Sequence, residues 1–181
     1  MSGVRVTRSA VADAEFAEFV AARSSQLYRS AYLLTTSSHA AEDLLQTALA
    51  KSYAAWGRVR SADDPVAYVH GVLIKSFLSE RRRRSSTELP VADASLIEPT
   101  QQSAAAADPT ERVALMAALS QLAPLDRAVV VLRFWEDRSV AQTAADLSLS
   151  EAAVKNRSLR ALRTLRELLA EPTSTSNGST P

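Results

Sequence analysis

Residues 147–169 read LSLSEAAVKNRSLRALRTLRELL, a stretch in which leucine, valine and alanine recur at the spacing of an amphipathic helix. Ser150 directly precedes this pattern and is a suitable N-cap, because a serine side chain accepts a hydrogen bond from the first helical turn. The predicted inward residues include Val154, Ala161 and Leu165, and basic residues outnumber acidic ones on the opposite side. We therefore expect a long final helix with a basic outer face.

A shorter helix is predicted immediately upstream. Ser139 and Gln142 have the spacing of a capping box, and the apolar pattern ends near Leu147. Ala144 is small at the point where two helices would cross. A short helix, a tight turn and a second helix form a helix-turn-helix, whose second helix enters the major groove of DNA. The pattern predicts DNA binding, whereas a basic helix exterior taken alone is more often simply solvated.

The rest of the sequence also favours helix, and we expect an all-α fold. Ala, Leu, Arg and Glu are abundant, all four favour helix, and no strand-like alternation persists. Residues 57–63 are expected to form a loop, and Trp56, Phe134 and Trp135 are expected to anchor the cores. From capping and apolar patterns, the predicted helices cover about residues 14–35, 38–56, 65–84, 108–122, 124–135, 140–147 and 151–170.

Composition divides the chain into two small helical domains joined by a flexible linker. The linker is rich in Ser, Thr, Pro and Ala, the tail is rich in Ser, Thr and Pro, and both lack a sustained apolar period. The linker region is acidic, since residues 85–110 carry four acids and no base. The predicted boundaries are 12–84 for the first domain, 85–107 for the linker, 108–170 for the second domain and 171–181 for a disordered tail.

Several classes of function are disfavoured by what the sequence lacks. There is no cysteine, so thiolate catalysis and thiolate metal sites are excluded. The two histidines, His39 and His70, lack metal-site spacing, and the four glycines form no phosphate-binding loop. We expect no catalytic residue, no metal and no cofactor. With neither a signal peptide nor a long apolar run, the expected location is the cytoplasm, without membrane insertion.

Three quoted motifs resemble one known family. LAPLDRAVVVLRFWEDRSVAQTAADLSLSEAAVKNRSLRALRTLRELL, residues 122–169, resembles domain 4 of sigma-70-family transcription initiation factors. AAEDLLQTALAKSYAAW, residues 40–56, and DPVAYVHGVLIKSFLSERRRR, residues 64–84, look like domain 2 of the same family. The linker leaves no room for domain 3, a layout that resembles the extracytoplasmic-function (ECF, group IV) sigma factors. The resemblance covers about residues 12–170.

In the first domain, the resemblance implies contacts with core RNA polymerase and with the −10 promoter element. The polymerase site is the pair of β′ clamp helices, and a non-template base of the −10 element is flipped into a pocket. The implied polymerase-binding residues are Asp43, Leu44 and Gln46, which requires an exposed Leu44, although the apolar spacing places Leu44 on the buried side of its helix. The implied −10 residues are Arg58, Arg60, Ser61, Asp63, Asp64, Tyr68, Lys75, Ser79, Arg81, Arg82, Arg83 and Arg84.

In the second domain, the resemblance implies recognition of the −35 element by the last helix. The implied residues are Ser139, Ser150, Glu151, Lys155, Asn156 and Arg160, the two serines through backbone N–H groups at helix N-termini. The sequence also departs from the family at several positions. Ser148 replaces a frequent turn glycine and implies a strained positive φ, Thr143 and Ser158 replace larger apolar residues, and Lys75 replaces a frequent Asn.

The resulting hypothesis is an ECF-type sigma factor that binds core RNA polymerase and directs promoter-specific transcription initiation. Two alternatives remain open at this stage. One is a helix-turn-helix regulator that does not replace a sigma factor, and the other is a degenerate sigma-like interaction protein. Many members of the family are held inactive by an anti-sigma factor, and the sequence leaves open whether this chain has such a partner.

Overall fold

A computed structural model describes residues 3–87 and 108–170 of the protein, and all regular elements in these ranges are helical. The first range contains α1 (Gly3–Thr35), α2 (Ser38–Ala54), α3 (Trp56–Arg60) and α4 (Pro65–Thr87). The second contains α5 (Pro109–Gln121), α6 (Pro124–Val130), a π-helical turn (Val131–Trp135), α7 (Val140–Leu147) and α8 (Glu151–Ala170). The all-α prediction is confirmed. Residues 88–107 of the predicted linker and the predicted tail lie outside the described residues.

Most helix starts follow the predicted capping chemistry. The carboxylate of Asp64 accepts a hydrogen bond of 2.9 Å from Ala67 N, and that of Asp108 accepts one of 3.0 Å from Thr110 N. The cap of α2 differs by one residue, because Ser37 rather than Ser38 has the extended backbone and accepts a hydrogen bond from Ala40 N. None of the helices in the described ranges has the length and apolar character needed to cross a bilayer.

Residues 56–60 form a single helical turn where a loop was predicted. Trp56 and Val59 are both buried, and they are three residues apart, so one turn of helix points both side chains into the same core. Burial at this spacing outweighs the weak helical tendency of a stretch containing Gly57. The first domain therefore has four helices rather than the expected three, and Arg58 and Arg60 lie on α3.

The helix-turn-helix has the expected local geometry. Ser139 Oγ accepts a hydrogen bond of 3.1 Å from Gln142 N, and Gln142 Oε1 accepts one of 2.8 Å from Ser139 N, which completes the capping box. The turn is made by Ser148, which has a left-handed backbone with φ of 55°. A non-glycine residue rarely adopts this conformation, so the predicted strain is present. Ser150 Oγ then accepts a hydrogen bond from Ala153 N and caps α8.

The prediction that Phe134 and Trp135 anchor a core is wrong. Their side chains are 53% and 48% exposed, whereas Val131 and Leu132 in the same segment are buried. The reason is the π-helical turn, which places an extra residue in the turn and rotates the two aromatic side chains away from the core. The corresponding prediction for Trp56 is confirmed, since this residue is buried and packs against the rings of Phe16 and Phe19.

The two halves of the chain pack against each other and share an apolar core. Leu34 of α1 and Leu73 and Phe77 of α4 lie in one buried cluster with Val131 and Leu132 of the second half. Folding a tethered pair of domains does not require such a shared cluster, so it could not be expected from the sequence. The observed arrangement therefore holds the two halves in contact.

Arg127 of α6 reinforces this contact from a buried position. Its Nη1 donates a 2.7 Å hydrogen bond to the carbonyl of Leu34, and its Nη2 donates to the carbonyls of Ser120 and Leu122. These carbonyls lie at the C-terminal ends of α1 and α5, where a cation is favoured. Burial lowers the pKa of Arg127 to about 10, with the charge of Arg81 contributing, so the guanidinium remains charged at neutral pH.

A buried polar cluster also spans the two halves. The carboxylate of Glu136 lies 3.4 Å from His70 Nδ1, both side chains are under a tenth exposed, and Ser30 Oγ donates a hydrogen bond to the same carboxylate. Burial lowers the pKa of His70 more than the negative charge of Glu136 raises it. We therefore expect the imidazole to be neutral at physiological pH.

Candidate polymerase and nucleic-acid interfaces

The outer face of α8 is exposed and carries the residues predicted to contact a DNA duplex. Val154, Ala161 and Leu165 are buried and attach the helix to the second domain. Glu151, Lys155, Asn156 and Arg160 are exposed, as required for a recognition helix. The first three turns of α8 thus present these four side chains, one acidic, one amide and two basic, to solvent.

Two arginines of α8 are bound by a single buried carboxylate. Asp126 Oδ1 accepts a 2.7 Å hydrogen bond from Arg157 Nη1, and Asp126 also accepts three hydrogen bonds from Nε and Nη2 of Arg160. The sequence analysis missed both Arg157 and Asp126. Asp126 is 31 residues from Arg157, and no local spacing signals a contact at that separation.

The two serines predicted to offer backbone N–H groups differ in their availability. The N–H of Ser139 already donates to Gln142 Oε1, so it is not free to bind a phosphate in this conformation. This correction follows from the capping box itself, which satisfies the N-cap N–H with the side chain of the third helical residue. Ser150 is exposed and its hydroxyl caps α8.

A cleft of about 670 Å³ lies between α1 and the α3–α4 connection. Arg60 and Ser61, both predicted −10 residues, line it, and Arg60 Nη1 is 3.0 Å from Glu15 Oε2. Trp56 also lines the cleft, and within the described residues its buried Nε1 has no hydrogen-bond partner. The cleft therefore combines an aromatic wall, an arginine and one hydroxyl group, which suits an extruded nucleobase.

The other predicted −10 residues extend along α4 rather than gathering in the cleft. Asp64 caps α4, Tyr68 is 36% exposed, and Lys75 and Ser79 are exposed on the same face one turn apart. By the helical rise, Tyr68 and Arg84 are about 24 Å apart, so the set describes an extended surface. Among the remaining members, the exposed ones are Arg58, Asp63, Arg82, Arg83 and Arg84.

The arginines at the end of α4 are not equivalent. Arg81 is half-buried, and its guanidinium lies 5.7 Å from the centre of the Phe77 ring. Arg84 Nη2 is 2.6 Å from Glu80 Oε1, one turn earlier on the helix. Exposed pairs of this kind contribute little to stability, so the side chain can exchange its carboxylate for a phosphate.

The predicted polymerase-binding residues on α2 separate into an exposed pair and a buried leucine. Asp43 and Gln46 are exposed, and Asp43 lies 3.6 Å from the imidazole of His39. The expectation that Leu44 is exposed is wrong, because it is only 1% exposed and belongs to the core shared by the two halves. Adjacent residues on a helix differ by about 100° in direction, so Asp43 and Leu44 cannot share the outer face.

The two halves of the chain each match a known protein family. Residues 19–87 match the family described as Sigma-70 region 2, and residues 112–165 match Sigma-70, region 4. An RNA polymerase sigma-E factor of Streptomyces avermitilis is 40% identical over 158 residues, covering 86% of this chain and 85% of the relative. The ECF RNA polymerase sigma factor SigM of Mycobacterium tuberculosis is 30% identical over 144 residues, covering 80% of this chain and 71% of the relative.

A solved structure shares the fold. The sigma factor RpoE from Bartonella quintana, crystallised in complex with the anti-sigma factor NepR, aligns with a TM-score of 0.69 at 25% sequence identity. The alignment covers 86% of this chain and 97% of that chain. The chain belongs to the sigma-70 family of RNA polymerase sigma factors, in its ECF subfamily, whose members bind core RNA polymerase and direct promoter-specific transcription initiation.

Proposed function

We propose that the two halves of this sigma factor divide promoter recognition between them, with boundaries close to residues 12–84 and 108–170. The first half binds core RNA polymerase and the −10 element, and the second half binds the −35 element. The observation that carries this proposal is the coexistence of two separate exposed surfaces, one around the α3–α4 cleft and α4, the other on α8.

At the −10 element, the cleft beside Trp56 is the proposed receptor for an extruded base. Extrusion costs a few kcal/mol, which stacking on an aromatic wall and hydrogen bonds from Arg60 and Ser61 offset. Tyr68, Lys75 and Ser79 then follow the melted strand along α4. The basic end of α4 supplies phosphate contacts, which add affinity without sequence information.

At the −35 element, α8 is the proposed recognition helix. Lys155 and Asn156 lie near its N-terminal end, where side chains of such helices meet base edges. Arg160 follows one turn later, and its guanidinium suits guanine or phosphate. Glu151 accepts from a cytosine amino group when the helix is inserted in the groove.

For polymerase docking, the proposed contacts are Asp43 and Gln46 on the outer face of α2. Leu44 supports this face from beneath, because it holds α2 against the core. The chemistry of RNA synthesis belongs to the polymerase, and the proposed role of this chain is to select promoters and help open the duplex, without an active site of its own. Since its partner is core RNA polymerase on chromosomal DNA, the proposed location is the cytoplasm.

An anti-sigma factor is a further proposed partner. The support is the likeness to RpoE, which was crystallised bound to the anti-sigma factor NepR. In this chain the two halves already share a core, so a partner that bridges them would find both surfaces in a fixed arrangement. Such a partner would need to cover Asp43 and Gln46 to prevent polymerase binding.

In vitro transcription tests the main proposal. Purified chain and core RNA polymerase are incubated with fragmented genomic DNA, and the 5′ ends of the transcripts are mapped. Initiation from a limited set of sites with a shared −10 and −35 sequence is the expected result. Failure of the chain both to bind core polymerase and to support initiation would contradict the proposal, and binding of duplex DNA alone would favour a helix-turn-helix regulator.

A further inference from the structure

The buried carboxylate beneath the recognition helix lies in the first turn of α6. Asp126 is 6% exposed, and its two oxygens accept hydrogen bonds from two guanidinium groups of α8. Arg157 and Arg160 remain partly exposed, with 30% and 54% of their side-chain surface accessible. The carboxylate is therefore enclosed on the protein side, while both arginines reach the outer surface.

The hydrogen bonds to Arg160 define which edge of its guanidinium is free. Nε lies 3.2 Å from Asp126 Oδ2, and Nη2 lies 2.7 Å from Oδ2 and 2.9 Å from Oδ1, so the Nε–Nη2 edge is occupied. Among the described residues, no hydrogen bond involves Nη1 of Arg160. The free edge of the guanidinium is therefore the side that carries Nη1, which retains two N–H donors, and such donors suit the O6 and N7 acceptors of guanine.

We infer that Asp126 is a positioning residue for duplex recognition, which fixes Arg160 so that its free edge faces the major groove. The inference rests on the proposed reading of the −35 element by α8. A fixed fork favours bases whose acceptors match its geometry, whereas an unrestrained arginine also reaches phosphates. Asp126 also neutralises one of the two guanidinium charges, which weakens sequence-independent attraction to the duplex. Its effect is thus on selectivity more than on total affinity.

A purely structural role for Asp126 makes a different prediction. If the carboxylate only joined α6 to α8, its loss would lower stability and reduce binding to every duplex by the same factor. A positioning role instead changes the ratio between matched and unmatched duplexes. The readout that separates the two roles is therefore the discrimination, which is the dissociation constant for the unmatched duplex divided by that for the matched duplex. It is measured on folded protein.

The test uses the full chain and two fluorescent duplexes of equal length. One is selected by the wild-type chain from a randomised pool, and the other is the unselected pool. For Asp126→Asn, the positioning role predicts that discrimination falls by at least about fivefold, which is the lower end of the effect expected for one good base contact. Binding to the unselected pool is expected to be equal or tighter, with a steeper salt dependence, because a freed arginine reaches phosphate.

A matched control and a double mutant complete the experiment. Asp146→Asn removes another carboxylate of the helix-turn-helix, which binds Arg138 and not α8, and it should leave discrimination unchanged. In an Arg160→Ala background, Asp126→Asn should cause a smaller loss of discrimination than in the wild type, because the residue that it positions is gone. An equal loss in both backgrounds would overturn the inference.

The remaining outcomes are also decisive. If wild-type protein does not discriminate between the duplexes, the proposed −35 function of α8 fails. If it discriminates and folded Asp126→Asn discriminates equally well, only the positioning inference fails. Should Asp126→Asn not fold, as judged by circular dichroism, Asp126→Glu replaces it: the charge remains but moves by one methylene. Lost discrimination in that variant supports positioning, and unchanged discrimination overturns it.

Discussion

Arg127 Nη1 donates a 2.7 Å hydrogen bond to the carbonyl oxygen of Leu34, which lies 93 positions earlier in the chain. The bond joins α6 of the second half to the end of α1 in the first half. Because the guanidinium is charged and buried, its three carbonyl partners replace the water that it would otherwise bind. This one side chain therefore binds the C-terminal ends of both α1 and α5 and contributes to the contact between the two halves.

Arg127→Met is expected to destabilise the protein and loosen the contact between its halves. The substitution keeps much of the side-chain volume but leaves three carbonyls, including those of buried Leu34 and Leu122, without their donor, at a cost of about 2–4 kcal/mol in the free energy of unfolding. Urea unfolding followed by circular dichroism measures this loss. Small-angle X-ray scattering should show a larger radius of gyration under native conditions.

Arg163→Met is the control for this change, since Arg163 is exposed on α8. It should alter the free energy of unfolding by no more than about 0.5 kcal/mol. If the two variants unfold at the same urea concentration and have the same radius of gyration, Arg127 does not hold the halves together.

The parts of the fold predicted correctly are those set by local chemistry. The capping box of Ser139 and Gln142, the cap at Ser150 and the left-handed turn at Ser148 each depend on a few neighbouring residues. The local interactions that stabilise them can form in any short stretch with that order of side chains. The sequence was therefore sufficient to place the helix-turn-helix and the outward residues of α8.

The features that escaped prediction depend on distant residues or on a change of helical phase. Leu44 is buried in the core that α2 forms with α1 and α4, a packing that the polymerase contact implied by the family motif does not include. Phe134 is exposed because a π-helical turn shifts the phase of the pattern within one segment. Asp126 has an ordinary place in the first turn of a helix, and only the packed structure shows that it binds Arg157 and Arg160.

Asp43→Lys is expected to weaken binding to core RNA polymerase without affecting duplex DNA recognition by α8. Asp43 is exposed on the outer face of α2, and a charge reversal at the centre of a contact should raise the dissociation constant by at least about tenfold. Among the described residues Asp43 forms an ion pair only with exposed His39, so the loss of stability should be small. Fluorescence anisotropy with labelled chain measures both affinities.

Glu42→Lys is the matched control for polymerase binding. It makes the same charge change at an equally exposed neighbour, whose side chain points about 100° away around the helix. Equal effects of the two variants would indicate a general electrostatic attraction rather than a contact at Asp43.

Thr143→Val is expected to stabilise the helix-turn-helix. Thr143 is fully buried, and within the described residues its hydroxyl has no hydrogen-bond partner. Valine has nearly the same shape and removes the unsatisfied polar group, so the free energy of unfolding should rise by about 1 kcal/mol. Thermal melting should show an increase of about 2–4 °C.

The exposed threonine of α2 gives a comparison for this substitution. Thr47→Val exchanges the same groups in contact with solvent and should change stability by less than about 0.5 kcal/mol. A lower melting temperature for Thr143→Val would show that the hydroxyl at this position makes a hydrogen bond that valine cannot replace.

The free energy of unfolding of the protein is expected to fall as the pH decreases from 7.5 towards 6. Burial lowers the pKa of His70 below its ordinary value of about 6.5, so in this window the unfolded chain binds a proton that the folded chain excludes. Glu136 and Asp64 oppose the shift, and Arg138 adds to it. The free energy of unfolding should decrease by up to about 1.4 kcal/mol per pH unit.

His70→Gln should remove most of this slope, because glutamine does not titrate, whereas His39→Gln should retain it. Together these two substitutions test every histidine of the chain, since the chain has two. Urea unfolding at several pH values, kept above the range in which carboxylates titrate, isolates the histidine contribution. Stability that rises as the pH falls would mean instead that His70 is protonated in the folded protein and that its pairing with Glu136 outweighs the cost of burying both charges.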